Sequence, residues 1–389
     1  MGEVISLANP NMAGIGPSLD RPVQPINPNV PVNTVVVSTD THWEVTEDIF
    51  VEAFPASMKA LAPRVWFDKY WHMGFPGADQ AIRLNEIAER AAVRSFTPGV
   101  ADMAVRRAHM EAEGIAQEIV YPQSLLFFVG HSDRAVQELI WRTYNDYIAR
   151  IGAENPGRFH GVGIFSNWWD PAGAEAAMRQ IVDLKLKTFM IPIYPGKDVE
   201  GQQIVYGDKP MDRFWSVVAE AGLPVGFHVT ENFIPGPRGG LGATITNSFN
   251  HFRLPLMQII FGGVFDRHPD LRVVFAEGGI SWLLAALQDA EMVFDSYGNG
   301  DLLDPICERP TTYWQNNCYA TFQNDLLGLR NLDHIGAGNV MWSNDYPHSE
   351  GAHGYSAASI QSVLDAVTPE QACRIIGGTA IERYGLESD

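Results

Sequence analysis

Cysteine is scarce in this chain, and long apolar runs and basic clusters are missing from it. Its 389 residues include three cysteines, Cys307, Cys318 and Cys373, which are too few and too scattered for a disulfide framework or a cysteine-rich zinc site. No apolar run reaches the roughly 18 residues that cross a bilayer, and no basic segment followed by an apolar one opens the sequence. We therefore expect a reducing compartment, the cytoplasm, and no membrane partner.

The balance of charge excludes a second class of partner. The formal net charge is -19, and the 27 lysines and arginines form no run. Nucleic acid binding requires basic patches, so nucleic acid is not an expected partner. Small molecules and other proteins remain. Because 46% of the residues are hydrophobic, the chain can bury a large core.

Two side chains able to bind a metal end the first β-branched apolar run. Residues 34–44 read TVVVSTDTHWE, in which Asp40 and His42 are two positions apart. Side chains on a strand repeat every two residues, so both point to the same face. This spacing predicts a strand that directs two ligands toward one metal ion.

The rest of the chain alternates between helical and strand patterns. Seven later strands are predicted, each after a helix. The predicted strands are residues 117–121, 159–165, 188–193, 224–229, 271–276, 315–322 and 339–343. Such alternation requires parallel strands with right-handed crossovers, and eight of them indicate an α/β fold, a (β/α)8 TIM barrel. The alternative, an open doubly wound sheet, normally has a glycine-rich turn after the first strand, which this chain lacks.

Three segments lie outside this repeat. Residues 1–33 are rich in Pro, Gly and Asn and predict an extended arm, either a loose tail or a segment across a neighbouring subunit. The barrel domain is residues 34–389, and it includes an insertion at 45–100. Trp66, Trp71 and Phe75 in this insertion favour a lid or an interface. Helices at the C-terminus are expected to pack outside the barrel.

Five metal-binding side chains end predicted strands. Besides the pair on the first strand, His228 lies on the fifth, Glu277 follows the sixth and Asp345 follows the eighth. The C-terminal ends of barrel strands form one face, so these side chains are expected to converge there. Alone, each is more often a core or capping residue. Imidazole and carboxylate together suit zinc, manganese or iron, and the absence of thiolates disfavours a structural zinc site.

These residues lie in motifs that resemble a known family. The motifs are Asp-Thr-His at 40–42, GLPVGFH at 222–228, GGVFDRHPDLRVVFAE at 262–277 and WSNDYPH at 342–348. Over residues 34–385 the chain resembles the amidohydrolase superfamily, in the branch that includes aminocarboxymuconate-semialdehyde decarboxylase and gamma-resorcylate decarboxylase. The resemblance implies that Asp40, His42, His228 and Asp345 hold the metal.

The chain departs from the family pattern at two positions. Asp40 stands where the family often has the first histidine of a His-x-His pair, and Glu277 stands where a histidine commonly polarises the substrate. Glu277 is therefore expected as a further ligand or catalytic group. No lysine ends the fourth strand, where residues 189–193 are apolar, so a carbamylated-lysine bridge between two metals is not expected.

The remaining site predictions concern catalysis and substrate. Asp345 is expected as ligand or base, and His348 as acid, base or second ligand, with a surface histidine as the alternative. Trp43, Tyr194, Phe233 and Arg238 are candidates for the substrate pocket, although ordinary packing or a solvated position would also suit each of them. Arg238 lies in the Pro- and Gly-rich segment 232–242, where it would meet an anionic substrate.

Three functions remain open from the sequence. The first is decarboxylation or hydrolysis of a small carboxylate on one zinc, manganese or iron ion. The second is a dinuclear iron or manganese oxygenase, because a carboxylate-rich site suits those metals. The third is a non-catalytic metal-binding subunit of a larger complex. A homo- or hetero-oligomer is expected in each case.

Overall fold

The computed structural model describes residues 6–12, 14–16, 21–67, 71–74, 76, 98–128, 133–229, 239–298 and 303–388. Eight short strands form its centre: β1 (Val37–Trp43), β2 (Gln117–Pro122), β3 (Phe159–Gly161 and Gly163–Ile164), β4 (Phe189–Met190), β5 (Val225–His228), β6 (Val273–Ala276), β7 (Cys318–Phe322) and β8 (Val340–Trp342). All eight lie within or overlap the strands predicted from the sequence.

The strands pair in parallel in chain order. β1, β2 and the first part of β3 form one sheet, and the second part of β3 continues through β8 as another. β3 joins the two sheets, since its two parts are separated by Val162 alone. On the other side Thr41 forms a parallel bridge with Tyr346, and the Asp345 N–H donates to the Asp40 carbonyl over 2.9 Å. The ring is therefore complete, and the fold is a TIM barrel.

Helices follow the strands around the outside of the barrel. They are Ile49–Ala53, Met103–Glu113, Arg134–Glu154, Ala174–Asp183, Asp212–Ala221, Gly240–Ser248, Arg253–Phe261, Val264–Arg267, Trp282–Tyr297, Pro310–Asn317, Leu326–Leu329, Leu332–Ile335, Ser356–Ala366, Pro369–Cys373 and Thr379–Tyr384. A π-helical stretch, Arg374–Gly378, joins the last two. Among the helices of the described ranges, none combines the length and apolar character needed to cross a bilayer.

Local sequence sets the helix ends that border the site. The Asp102 side chain accepts from the N–H groups of Ala104 and Val105 at the start of Met103–Glu113, which satisfies two otherwise free donors. Gly114 ends the same helix in the left-handed conformation, where glycine carries no Cβ penalty. β1 is buried along its whole length, because barrel strands are covered by helices on one side and by other strands' side chains on the other.

Two element boundaries differ from the sequence prediction. Residues 315–317, predicted as strand, end the helix Pro310–Asn317, because Pro310 at its first turn is preorganised for a helix. The helical pattern that precedes the sixth strand, residues 254–265, divides into two helices at Gly262 and Gly263. A Cβ on Gly262 would lie 2.4 Å from the Gly207 Cα atom, so that close approach requires glycine.

The described part of the N-terminal segment contacts the helix Ser356–Ala366 of the same chain. The Asn9 side chain donates to Ser362 Oγ over 2.9 Å, and the Asn27 side chain donates to the Ala357 carbonyl over 2.8 Å. Both acceptors belong to Ser356–Ala366. In the insertion, Arg64–Phe67 and Trp71–Gly74 form an antiparallel hairpin outside the barrel sheet. Phe75 lies outside the described residues, and the lid or interface role stays a prediction.

Candidate metal centre

The first two residues of the candidate site lie on β1. Asp40 and His42 lie on one face of the strand and are fully buried. Trp43 lies on the opposite face and donates its indole N–H to the Tyr147 hydroxyl over 3.0 Å. Because the period of two that turns Asp40 and His42 inward also turns Trp43 outward, Trp43 packs between the barrel and a helix and does not join the cluster.

Backbone carbonyls orient the two imidazoles of this cluster. His42 Nδ1 lies 3.1 Å from the Pro122 carbonyl, and His228 Nδ1 lies 2.8 Å from the Val229 carbonyl. A carbonyl oxygen only accepts, so each Nδ1 carries a proton. Each Nε2 then turns its lone pair toward the cluster in the neutral ring, as metal-bound histidines do.

Carboxylate oxygens face both Nε2 atoms. His42 Nε2 lies 3.3 Å from Asp345 Oδ1 and 3.7 Å from Asp40 Oδ1. His228 Nε2 lies 3.3 Å from Asp40 Oδ1 and 3.3 Å from Glu277 Oε2. Residues from four strand ends, β1, β5, β6 and β8, are therefore within ion-pair distance, as the sequence predicted.

Glu277 and Asp345 are held in an uncommon backbone conformation. Their φ angles are +71° and +49°, in the left-handed region that costs a non-glycine residue of order 1–3 kcal/mol. The Glu277 N–H donates to Thr321 Oγ1 over 2.9 Å, and the Asp345 N–H pairs with β1. These bonds keep both carboxylates directed inward, and such strain is concentrated at functional sites.

His348 completes the cluster from the loop after β8. Its Nδ1 lies 2.9 Å from Asp345 Oδ1 and 3.4 Å from Glu277 Oε1, and its ring centroid is 4.1 Å from that of His42. The Gln123 side-chain nitrogen lies 3.2 Å from His348 Nε2. His348 is therefore part of the buried cluster and does not take the surface position that was the alternative.

Burial and neighbouring charges separate the pKa values of the imidazoles. Burial, together with the neighbouring His348 and His228 rings, holds the pKa of His42 well below its usual value. Burial also disfavours the charged form of His228, but Asp40 and Glu277 outweigh it and raise its pKa to about 9. Burial likewise opposes the charge on His348, and Asp345 and Glu277 overcome it, so that its pKa lies well above the usual value.

The pKa values of two carboxyl groups in the cluster are raised as well. Burial raises the pKa of Asp345 to about 7, although the adjacent His348 opposes the shift. Burial and the neighbouring Asp345 raise the pKa of Glu277. A positive charge entering the cluster would favour the ionised form of both carboxyl groups.

The cluster suits a divalent cation. Within the described residues, Asp40 Oδ2, His42 Nε2, Glu277 Oε2 and Asp345 Oδ2 are buried and make no hydrogen bond. Buried polar atoms without partners are costly. Two groups of side chains, which share His42, could hold a metal ion, and within each group the ligand atoms lie within 4.8 Å of one another. The groups are Asp40, His42 and His228, and His42, Glu277, Asp345 and His348. A cation among them would satisfy the exposed lone pairs.

A family model matches most of this chain. An amidohydrolase family model matches residues 96–386, about three quarters of the 389 residues. The chain belongs to the amidohydrolase family. The match covers His228, Glu277, Asp345 and His348 but begins after the β1 pair, so Asp40 and His42 enter the site on the geometry alone.

Part of this chain is similar to a named enzyme. The 2-amino-3-carboxymuconate-6-semialdehyde decarboxylase of Dictyostelium discoideum is 27% identical over 258 residues, which are 62% of this chain and 66% of that enzyme. The match thus covers just under two thirds of that relative.

Two solved structures show the same fold. An amidohydrolase from Mycobacterium avium subsp. paratuberculosis has a TM-score of 0.73 at 18% identity, covering 91% of this chain and 100% of that one. A 5-carboxyvanillate decarboxylase from Novosphingobium aromaticivorans, complexed with manganese and 4-hydroxy-3-methoxy-5-nitrobenzoic acid, has a TM-score of 0.63 at 17% identity, covering 90% of this chain and 96% of that one.

Of the three remaining substrate-pocket candidates, the structure describes one, Tyr194. Tyr194 is 38% exposed, and its ring contacts His251 at 5.6 Å, outside the buried cluster. Phe233 and Arg238 lie outside the described residues. Gln123 was not predicted, although it follows β2 at the face where the ligands gather. Its position at a strand end was the signal that could have found it.

Proposed function

We propose that this amidohydrolase is a divalent-metal-dependent decarboxylase of a small carboxylate. The observation that carries the proposal is the convergence of Asp40, His42, His228, Glu277 and Asp345 in one buried cluster, in which polar atoms of four of these residues make no hydrogen bond. The named decarboxylase among its relatives supports this reaction over hydrolysis. The decarboxylase neighbour with bound manganese supports the same chemistry on this fold.

The two imidazoles and three carboxylates would hold one ion. His42 belongs to both candidate groups, but its Nδ1 is already bonded to the Pro122 carbonyl. Only Nε2 of His42 is therefore available, and it can bind a single ion. Zinc, manganese and iron all accept imidazole and carboxylate ligands, and the manganese in the neighbour makes manganese the first ion to test.

A bound ion would polarise an oxygen of the substrate beside the bond that breaks. In decarboxylation that carbon–carbon bond breaks, carbon dioxide leaves, and the electron pair stays on the remaining carbon. A proton must then replace the lost carboxylate. The sum is one carboxylate and one proton converted to carbon dioxide and the protonated product.

His348 is placed to supply this proton. Asp345 Oδ1 and Glu277 Oε1 lie beside its Nδ1, and in their ionised form they accept a hydrogen bond from a proton held there. The Gln123 amide beside Nε2 can donate or accept after a half-turn, and it therefore serves both charge states of the ring. The His348 side chain is 11% exposed, so it borders the open side of the cluster.

A substitution of His348 tests this role. Glutamine in its place keeps hydrogen-bonding capacity but offers no acidic proton, so we expect His348→Gln to lower kcat about 10²–10⁴-fold while the metal stays bound. The manganese-loaded protein is incubated with ortho-hydroxybenzoates and with 2-amino-3-carboxymuconate semialdehyde. Release of carbon dioxide is measured, and in D₂O the label is followed into the product.

The controls separate the alternatives. Glu220→Gln changes an exposed side chain on Asp212–Ala221 and should leave the rate unchanged. Release of water-derived hydrolysis products without carbon dioxide, or consumption of dioxygen, would contradict the decarboxylase. Loss of metal in His348→Gln would make His348 a ligand, and an unchanged rate would remove it from catalysis.

A further inference from the structure

The loop after His348 lies directly behind the site. Residues 349–354, called here the β8 loop, connect the cluster to the helix Ser356–Ala366. The His348 N–H donates to the Asp345 carbonyl over 2.8 Å, and the Ala352 N–H donates to the Asn344 carbonyl over 2.7 Å. The loop therefore folds back on the segment that bears Asp345, and a shift of the loop would shift both site residues.

An arginine from the N-terminal arm binds one side of the β8 loop. Arg21 is 7% exposed. Its guanidinium donates to the Gly351 carbonyl over 2.8 Å and to the His353 carbonyl over 2.9 Å, and it also bonds the Ser349 carbonyl. Its Nε donates to the Gly16 carbonyl over 2.7 Å. The planar fork of arginine thus satisfies three carbonyl groups of one loop, a geometry that lysine does not reproduce.

A glutamate binds the other side of the loop. Glu113, at the end of Met103–Glu113, is buried. Its Oε1 accepts from the Gly354 N–H over 2.6 Å. Its Oε2 accepts from His353 Nδ1 over 3.1 Å and from the Asn344 side chain over 3.4 Å. The β8 loop is therefore held between a cation that binds its carbonyl groups and an anion that binds its N–H groups.

The hydrogen-bond network that includes Arg21 and Glu113 extends to β1. Asn344 precedes Asp345, and its Oδ1 accepts from Ser38 Oγ over 2.8 Å. Its backbone N–H donates to the same hydroxyl over 2.9 Å. Ser38 lies on β1, two residues before Asp40. The network thus connects the arm, a helix and the two strands that provide Asp40 and Asp345.

From these contacts we propose that Arg21 is a positioning residue and that the arm is part of the metal site. The inference rests on the proposed function, because the ligands that the loop positions are those of the metal. Loss of Arg21 would remove the side-chain donor from the buried carbonyl groups of Gly351 and His353. Residues behind metal ligands typically change metal affinity 10–100-fold when mutated. The arm lies outside residues 96–386, which match the family model.

The test compares three full-length variants by Mn²⁺ affinity and by amide hydrogen exchange of the β8 loop. Arg21→Met should weaken Mn²⁺ binding about 10–100-fold and speed exchange at residues 352–354. Arg21→Lys should recover part of both, and it replaces the methionine variant if that one does not fold. Asn27→Ala also loosens the arm, but on the helix Ser356–Ala366, so affinity and loop exchange should stay within about twofold of wild type.

The outcomes distinguish this inference from the proposed function. Wild-type Mn²⁺ affinity together with wild-type exchange in folded Arg21→Met would overturn it. Equal losses in Arg21→Met and Asn27→Ala would also overturn it, because they would reflect arm docking in general. If the wild-type chain binds no metal, the proposed function fails. In that case amide hydrogen exchange of the β8 loop is the one measurement that tests whether Arg21 holds the loop.

Discussion

At the scale of single residues, the site depends on which ring nitrogen carries the proton. His42 and His228 both direct Nδ1 to a backbone carbonyl, so Nε2 is the nitrogen available to a metal. In the metal-free protein, however, the carboxylates around His228 raise its pKa to about 9. At neutral pH this ring holds a second proton, which a metal must displace.

Metal binding should therefore release protons. Below pH 9 one proton leaves His228, and below pH 7 a second leaves Asp345, whose pKa is raised to about 7. Mn²⁺ affinity should rise about tenfold per pH unit from pH 7 to 9, and more steeply below pH 7. Isothermal titration in two buffers of different ionisation enthalpy counts the protons. An affinity that does not change between pH 7 and 9 would contradict this assignment.

The residues that gather in the buried cluster were predictable from the sequence, but the groups that support them were not. Strand periodicity pairs Asp40 with His42, and strand ends predict His228, Glu277 and Asp345. Of the two possibilities for Trp43, a pocket residue or ordinary packing, the same periodicity favours packing, because it places Trp43 on the opposite face. The Pro122 and Val229 carbonyls and the contacts of Arg21 leave no sequence pattern, because any residue offers a carbonyl.

At the scale of elements, the π-helical stretch Arg374–Gly378 packs closely against the residues that precede β1. A Cβ on Gly377 would lie 1.9 Å from the Val35 carbonyl oxygen, which is backbone and has little room to move. The neighbouring Gly378 would place its Cβ 3.3 Å from the Cys373 carbonyl. The two glycines are adjacent but differ in how closely another element approaches.

This difference predicts opposite tolerances. Gly377→Ala should lower the free energy of unfolding by about 1–3 kcal/mol or more, because Val35 would have to shift. Gly378→Ala is the matched control, and its change should be smaller, since alanine favours a helix by about 1 kcal/mol over glycine. Urea unfolding followed by circular dichroism measures both. A smaller loss in Gly377→Ala than in Gly378→Ala would contradict the packing.

Element prediction succeeded where patterns are long and failed at their ends. The alternation of eight strands with helices predicted the barrel, since each pattern repeats over several residues. Residues 315–317 were predicted as strand, whereas Pro310 starts a helix that continues through them. The break at Gly262 depends on its approach to Gly207, a contact between distant parts of the chain.

At the scale of the whole molecule, barrel closure and the site coincide. The contacts between β8 and β1 are made by the site segments themselves, since the Asp345 N–H donates to the Asp40 carbonyl and the His42 N–H donates to the Tyr346 carbonyl over 2.6 Å. A cation held by Asp40, His42 and Asp345 would therefore bind across this junction and stabilise the closed ring. The oligomeric state expected from the sequence stays a prediction.

Metal content tests the central claim most directly. The purified protein and its variants are dialysed against Mn²⁺ and then analysed by elemental mass spectrometry. We expect one ion per chain in the wild type and in the exposed control Glu220→Gln. We expect none in His228→Ala or Asp345→Asn, and reduced occupancy in Glu277→Gln, because each removes a ligand from the cluster. Stoichiometric metal in both His228→Ala and Asp345→Asn, or none in the wild type, would contradict the account.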